Sequence, residues 1–105
     1  WQSRGLGDVY KRQEIHNYLK KVDGWSVKDD GLDGYHLIKD FKFENFLKSQ
    51  SFVNKVGEIA EKEGHHPDIW FGWGYAKIKI YTHAIKGLAE SDFILAAKID
   101  KISSV

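Results

Sequence analysis

From residue 14 onward, apolar side chains recur with a period that changes along the chain, and each change marks an element. Ile15, Tyr18, Leu19 and Val22 stand at i, i+3, i+4 and i+7, the stripe of a short amphipathic helix. Gly24 follows as a helix stop. Trp25 and Val27 then open a strand. The stretch Asp29-Asp30-Gly31-Leu32-Asp33-Gly34 is turn chemistry, because Asp accepts hydrogen bonds from the backbone that follows it and Gly tolerates positive φ. From Tyr35 to Phe43 the period is two. Tyr35, Leu37, Phe41 and Phe43 share one parity with Lys39 as the exception, and His36, Asp40 and Lys42 share the other with Ile38 as its exception. That alternation predicts a half-buried strand.

A long helix is predicted from about Glu44 to Glu63. Phe46, Val53, Val56 and Ala60 form its core-facing stripe, with Leu47 and Ile59 at the edges. Gly64 ends it and Pro67 prevents its restart. Asp68 to Phe71 reads as a short strand and Gly72-Trp73-Gly74 as a tight connection. Tyr75 to His83 alternates again, with Ile78 and Ile80 on one face and Lys77, Lys79 and Tyr81 on the other. A last helix spans about Ala89 to Ile102, burying Phe93, Ala96, Ala97 and Ile99 or Ile102. The order α-β-β-α-β-β-α predicts an α+β domain, a four-stranded antiparallel sheet with helices packed on one face.

Composition narrows the chemistry. The chain has 105 residues, the length of one domain. It has no cysteine, which excludes disulfides, zinc–thiolate sites, iron–sulfur clusters and thiol nucleophiles. Sixteen Lys+Arg against fifteen Asp+Glu give a formal charge of +1, too balanced for a dedicated nucleic-acid binder. No apolar run reaches the length of a membrane span, and the start of the chain lacks the pattern of a secretion signal. A cytoplasmic location is the expectation, with an organellar one left open by an N-terminus that reads as incomplete. Residues 1–13 lack an initiator Met and a sustained period. They are read as an extension or cloning remnant, disordered, ahead of a single domain over 14–105.

Five histidines are present: His16, His36, His65, His66 and His83. His16 and His36 fall on polar faces with no assigned task. His65-His66-Pro67 follows Gly64 at the exit of the long helix, and His83 follows Thr82 at a strand end. Helix exits and strand ends are where distant segments converge on a cleft. Histidine suits proton transfer near neutral pH, and Glu61, four residues before His65, is placed to orient its ring. Other readings stand beside this one. The His pair can be solvated surface, or part of a three-histidine metal site, although adjacent histidines are awkward ligands for one ion. Trp25 can anchor the core rather than wall a pocket, and Trp70 and Trp73 can be core or interface.

The run Glu61-Lys62-Glu63-Gly64-His65-His66-Pro67, then Trp73, His83 and Asp92 at their spacings, resembles the signature of the pterin-4a-carbinolamine dehydratases. Asp23-Gly24-Trp25, Phe41-Lys42-Phe43, Phe52-Val53 with Val56, Gly87-Leu88 and Ser91-Asp92-Phe93 agree with it. The resemblance covers about Glu14 to Ile102. Gly64 stands where family members often carry a polar residue, which touches only fine positioning.

The resemblance implies dehydration of 4a-hydroxytetrahydropterin to quinonoid dihydropterin, in the recycling that serves aromatic amino acid hydroxylases. It implies a pterin as substrate, no cofactor and no metal, no nucleic-acid or membrane partner, and a homodimer or homotetramer. His65, His66 and His83 become the catalytic set, with His65 and His83 as the proton-transfer pair and His66 bonding the leaving hydroxyl. Glu61 is expected to orient His65, Asp92 to orient His83 or to cap the last helix, and Trp25 to close the pocket. Gly64, the two adjacent histidines and the segment Tyr81, Thr82, His83 and Ala84 are expected to bind the substrate. The competing reading is a dehydratase-like module that has lost catalysis and acts through protein contacts.

Overall fold

The structure is a computed structural model that describes residues 12–29, 31, 34–85 and 87–103, the side chains of Arg12, His83 and Ser103 excepted. Most of the segment read as an extension, residues 1–11, lies outside the described residues. The elements run α1 (Arg12–Leu19), β1 (Ser26–Asp29), β2 (Tyr35–Lys42), α2 (Phe46–Glu63), β3 (Asp68–Gly72), β4 (Tyr75–Ile80), a single 3-10 turn at His83–Ile85, and α3 (Glu90–Ser103). All strand pairs are antiparallel, in the order β1-β2-β4-β3. This is the α+β layer that the alternation predicts.

The sheet register separates two faces. Leu37 pairs with Ile80, Phe41 and Phe71 with Ala76, and Ile69 with Ile78. These side chains point at the helices and join Val56, Phe52, Leu95, Ala96 and Ile99 in one buried cluster. Each fully buried aliphatic chain stabilises the fold by roughly 1.5–3 kcal/mol. α1 closes the layer against α3, where the Tyr18 and Phe93 rings lie 5.5 Å apart. The opposite face carries Lys28, His36, Ile38, Trp70, Lys77 and Lys79, and among the described residues the helices pack on the other side.

Several local readings change. α1 stops at Leu19, ahead of Gly24, because Lys21 and Val22 donate to carbonyls three residues back and tighten the chain out of the α-helix. α2 begins at Phe46 because the Asn45 carboxamide oxygen accepts the Lys48 amide at 2.9 Å, so Asn45 is the N-cap. Its core stripe is Ser49, Phe52, Val56 and Ala60, a shift that leaves Phe46 half exposed and Leu47 73% exposed. Ser49 tolerates full burial because its hydroxyl donates to the Asn45 carbonyl at 3.1 Å. Ala97 is exposed and Leu95 takes its place in the core. His36, read as a polar-face residue, is buried. Among the described residues, no helix is long and apolar enough to cross a membrane.

Candidate active site

The end of α2 aims the tandem histidines. Gly64 sits at φ 65, ψ 30, and its amide donates to the carbonyls of Ala60 and Glu61. The His65 amide donates to the Ala60 carbonyl at 3.0 Å. Together these form a Schellman cap, which needs a residue at ease in the left-handed region. The chain therefore leaves the helix in a fixed direction, and Pro67 carries it into β3. The Gly64 amide, expected as a substrate contact, is committed to this cap, so its backbone offers a ligand only the carbonyl.

His65 and His66 then diverge to different carboxylates. His65 Nε2 lies 2.5 Å from Asp92 Oδ1. His66 Nε2 lies 2.6 Å from Glu61 Oε2. The partner expected for Glu61 thus changes: Glu61 serves His66, and His65 takes its carboxylate from α3. The cause is the Schellman cap. It swings His65 off the α2 surface, so the i, i+4 neighbourhood with Glu61 that an unbroken helix would give does not exist.

Asp92 is the organising group of this corner. It is fully buried at 0% exposure, yet each of its oxygens is engaged. Oδ1 meets His65, and Oδ2 accepts the Thr82 hydroxyl at 2.8 Å and the Ala89 amide at 2.8 Å. The Ala89 bond is the N3-to-N-cap half of a capping box, so Asp92 does cap the last helix. A buried carboxylate this well bonded is held in one orientation. The His65 ring is 17% exposed in its side chain and reaches solvent from a fixed frame. The Glu61–His66 pair is open to water, at 80% and 61% side-chain exposure.

The remaining expected residues fall at varying distances from this corner. The segment from Tyr81 to Ala84 leaves β4 beside it. Tyr81 is buried, Thr82 is half-buried and bonded to Asp92, and Ala84 is exposed. His83, placed at a strand end by the sequence pattern, begins the 3-10 turn, which an Ile85-to-Thr82 backbone bond and a Thr82–Gly87 bridge hold in position. The direction of its side chain lies outside the described residues. Trp25 is not at the corner. It is 5% exposed, its indole donates to both Asp100 oxygens at 3.0 Å, and its ring meets the edge of Phe41. Its core-anchor reading replaces that of a pocket wall. Sequence reasoning gave Thr82 only a substrate contact and missed its bond to Asp92. The one available signal was that Ala89 is a poor N-cap, which leaves the cap amide to a carboxylate at N3. Among the described residues, no group of three His, Asp or Glu side chains is arranged to hold a metal ion.

A small antiparallel α+β layer, with a tandem histidine at a helix exit and a buried aspartate behind one ring, defines the architecture of a pterin dehydratase. The profile of the family described as pterin 4 alpha carbinolamine dehydratase matches residues 8–102, and the chain belongs to that family of hydro-lyases. A relative in Rubrobacter xylanophilus that bears the name pterin-4-alpha-carbinolamine dehydratase is 48% identical over 92 residues, which is 88% of this chain and 82% of that protein. The structure described as a transcriptional coactivator/pterin dehydratase from Brucella melitensis superposes with a TM-score of 0.82 at 28% identity, covering 91% of this chain and 99% of that one. A pterin dehydratase-like protein identified as a RuBisCO assembly factor in the alpha-carboxysome shares the fold alone, at TM-score 0.64 and 23% identity over 76% of this chain and 89% of that one.

Proposed function

We propose that this chain dehydrates a 4a-hydroxytetrahydropterin to the quinonoid dihydropterin with its own histidines moving the protons, and with neither metal nor organic cofactor. In that reaction the C4a–O bond breaks, the N5–H proton is lost, a C4a=N5 double bond forms, and the leaving oxygen departs as water once it is protonated. Hydroxide is a poor leaving group, so one group must give a proton and another must take one. Each such transfer is typically worth ~10²–10⁴-fold in rate.

The observation that carries this reading is the ring of His65 held on fully buried Asp92. With Nε2 engaged by the carboxylate, Nδ1 is the nitrogen left for substrate. The carboxylate fixes the tautomer and offsets the positive charge that the ring gains on taking a proton, the logic by which a carboxylate supports a histidine base. His65 and His83 form the proton-transfer pair in this proposal. His66, oriented by Glu61, hydrogen-bonds the leaving hydroxyl, and the backbone from Tyr81 to Ala84 takes the amide edge of the pterin. A non-catalytic module acting only through protein contacts would need Asp92 as the cap of α3, but would have no use for a solvent-reaching imidazole held on its other oxygen.

The same proposal places the protein in the cytoplasm, in the recycling of tetrahydropterin for aromatic amino acid hydroxylation. It also makes the protein a homodimer or homotetramer. β1 and β3 are the two edges of the sheet, and Trp73 and Leu47 are each more than 70% exposed, features that self-association would cover. The test is dehydration of freshly generated carbinolamine by His65→Ala and His83→Ala variants. Each is expected to lose about 10²-fold or more in rate. Unchanged rates in both remove the assignment.

A further inference from the structure

Thr82 is a polar residue in an apolar position. Ala76, Ile78 and Ile80 face the helices from β4, each at 0% exposure, and Thr82 continues their parity past the end of the strand. An aliphatic side chain would satisfy that position by packing alone. The hydroxyl is instead spent on α3, where it donates to Asp92 Oδ2 at 2.8 Å.

Capping α3 does not call for this bond. The Ala89 amide already reaches Oδ2 at 2.8 Å, and that contact satisfies the open donor at the helix start. Oδ1 is taken by His65 Nε2. With those two contacts alone, the carboxylate could still swing about the line that joins them. Thr82 donates from a different element, and a third contact removes that freedom. It fixes the plane of the carboxylate, and with it the bearing of the imidazole that Oδ1 holds.

The backbone of the same residue holds the other half of the site. The Thr82 amide donates to the Gly87 carbonyl at 2.9 Å, and the Thr82 carbonyl accepts the Ile85 amide at 3.3 Å. These bonds secure the 3-10 turn that begins with His83. Thr82 is therefore tied through its side chain to the carboxylate behind His65 and through its main chain to the turn of His83. No other described residue is bonded to both.

We propose, on the reading of His65 as a proton-transfer residue, that Thr82 is a positioning residue of the dehydration. Its hydroxyl acts through Asp92 to hold the His65 ring in register with the turn that carries His83. Proton transfer depends steeply on the alignment of donor and acceptor, so the hydroxyl serves the chemical step and not the affinity for substrate.

Kinetics of three variants with freshly generated carbinolamine test this, beside urea titrations of each. Thr82→Val keeps the volume and the β-branch and removes only the hydroxyl. Its kcat is expected to fall about tenfold, the worth of one hydrogen bond to a charged group, with KM within about twofold of the parent's. Thr82→Ser restores the hydroxyl and should return kcat to within about threefold of the parent's. Thr82→Ala and Thr82→Ser differ only by the hydroxyl, so their kcat ratio decides the matter should the valine variant misfold. In a His65→Ala background, Thr82→Val should cost less than about twofold, because the ring through which it acts is gone. The role is overturned if the valine or alanine variant turns over as the parent does, if serine is as slow as alanine, or if KM moves in place of kcat. It is also overturned if Thr82→Val costs the same factor with and without the imidazole. A slow His65→Ala with a fast Thr82→Val removes this role alone, whereas His65→Ala at the parent's rate removes the reading of His65 and this role with it.

Discussion

His65 and Asp92, 27 positions apart in sequence, meet through Nε2 and Oδ1 at 2.5 Å, and the second oxygen of the same carboxylate holds Thr82 and the amide that opens α3. One buried group thus ties the exit of α2, the end of β4 and the start of α3 into a single frame. Asp92→Asn separates the catalytic part of this frame from the structural part. The carboxamide oxygen can still accept from the Ala89 amide or the Thr82 hydroxyl. Its NH₂ group would then face His65, select the ring with a lone pair on Nε2, and put the proton on Nδ1. The expected outcome is a fall in kcat of roughly 10²-fold or more, with KM changed far less. Asp92→Ala should lose the activity and much of the stability together. A kcat for Asp92→Asn equal to the parent's would show that the tautomer is immaterial.

The His66 side of the corner should respond weakly. Glu61 and His66 are both largely in water, where an ion pair adds little and solvent replaces a missing partner. Glu61→Gln is therefore expected to keep its rate within about fivefold of the parent's. Comparing initial rates of Glu61→Gln and Asp92→Asn in one assay checks the order of importance. A larger loss for the glutamine variant would reverse the roles given to the two carboxylates.

Two glycines at either end of one argument give opposite signs. Gly57 lies inside α2, and a Cβ there would meet nothing within 4 Å. Gly57→Ala should raise stability by about 0.5–1 kcal/mol, since the helix no longer has to order a glycine backbone. Gly64 also has open space around it, but its φ of 65 makes any side chain strained. Gly64→Ala should cost about 1–2 kcal/mol and lower kcat by moving His65 off Asp92. Urea titrations of the two variants measure both signs, and two changes of the same sign would contradict this account.

What the sequence revealed and what it hid divide along one physical line. Signals carried by local chemistry were legible: Gly64 and Pro67 ending α2, the alternation of β2 and β4, and the His pair set at a helix exit. Anything decided by packing between distant segments was not. Phe52 rather than Phe46 takes the core position of α2 because the Phe41 and Phe43 rings of β2 and its exit meet it there, at 4.7 and 5.0 Å. Asp92 could be placed near a histidine, but pairing it with His65 required knowing how the Schellman cap turns the chain. His36 looked polar by parity, yet it is buried.

Lys39 shows how an apparent flaw in a pattern can report a distant partner. It breaks the apolar parity of β2, facing the helices between Leu37 and Phe41, both buried. Its Nζ donates to the Asp23 carbonyl at 2.6 Å and to Asp100 Oδ1 at 2.8 Å, and the Trp25 indole donates to the same carboxylate. Lysine, aspartate and tryptophan therefore form one unit that joins β2, α3 and the approach to β1. Both charged side chains are only about a fifth exposed, so removing either leaves the other poorly solvated. Lys39→Met and Asp100→Asn should each cost about 1–3 kcal/mol, as for hydrogen bonds to charged groups. The double variant should cost less than the sum of the two by about 1 kcal/mol, because the second substitution removes a group already deprived of its partner. Chemical denaturation of the four proteins in this cycle measures the coupling. Strict additivity would mean that the contact at 2.8 Å contributes nothing to holding α3 on the sheet.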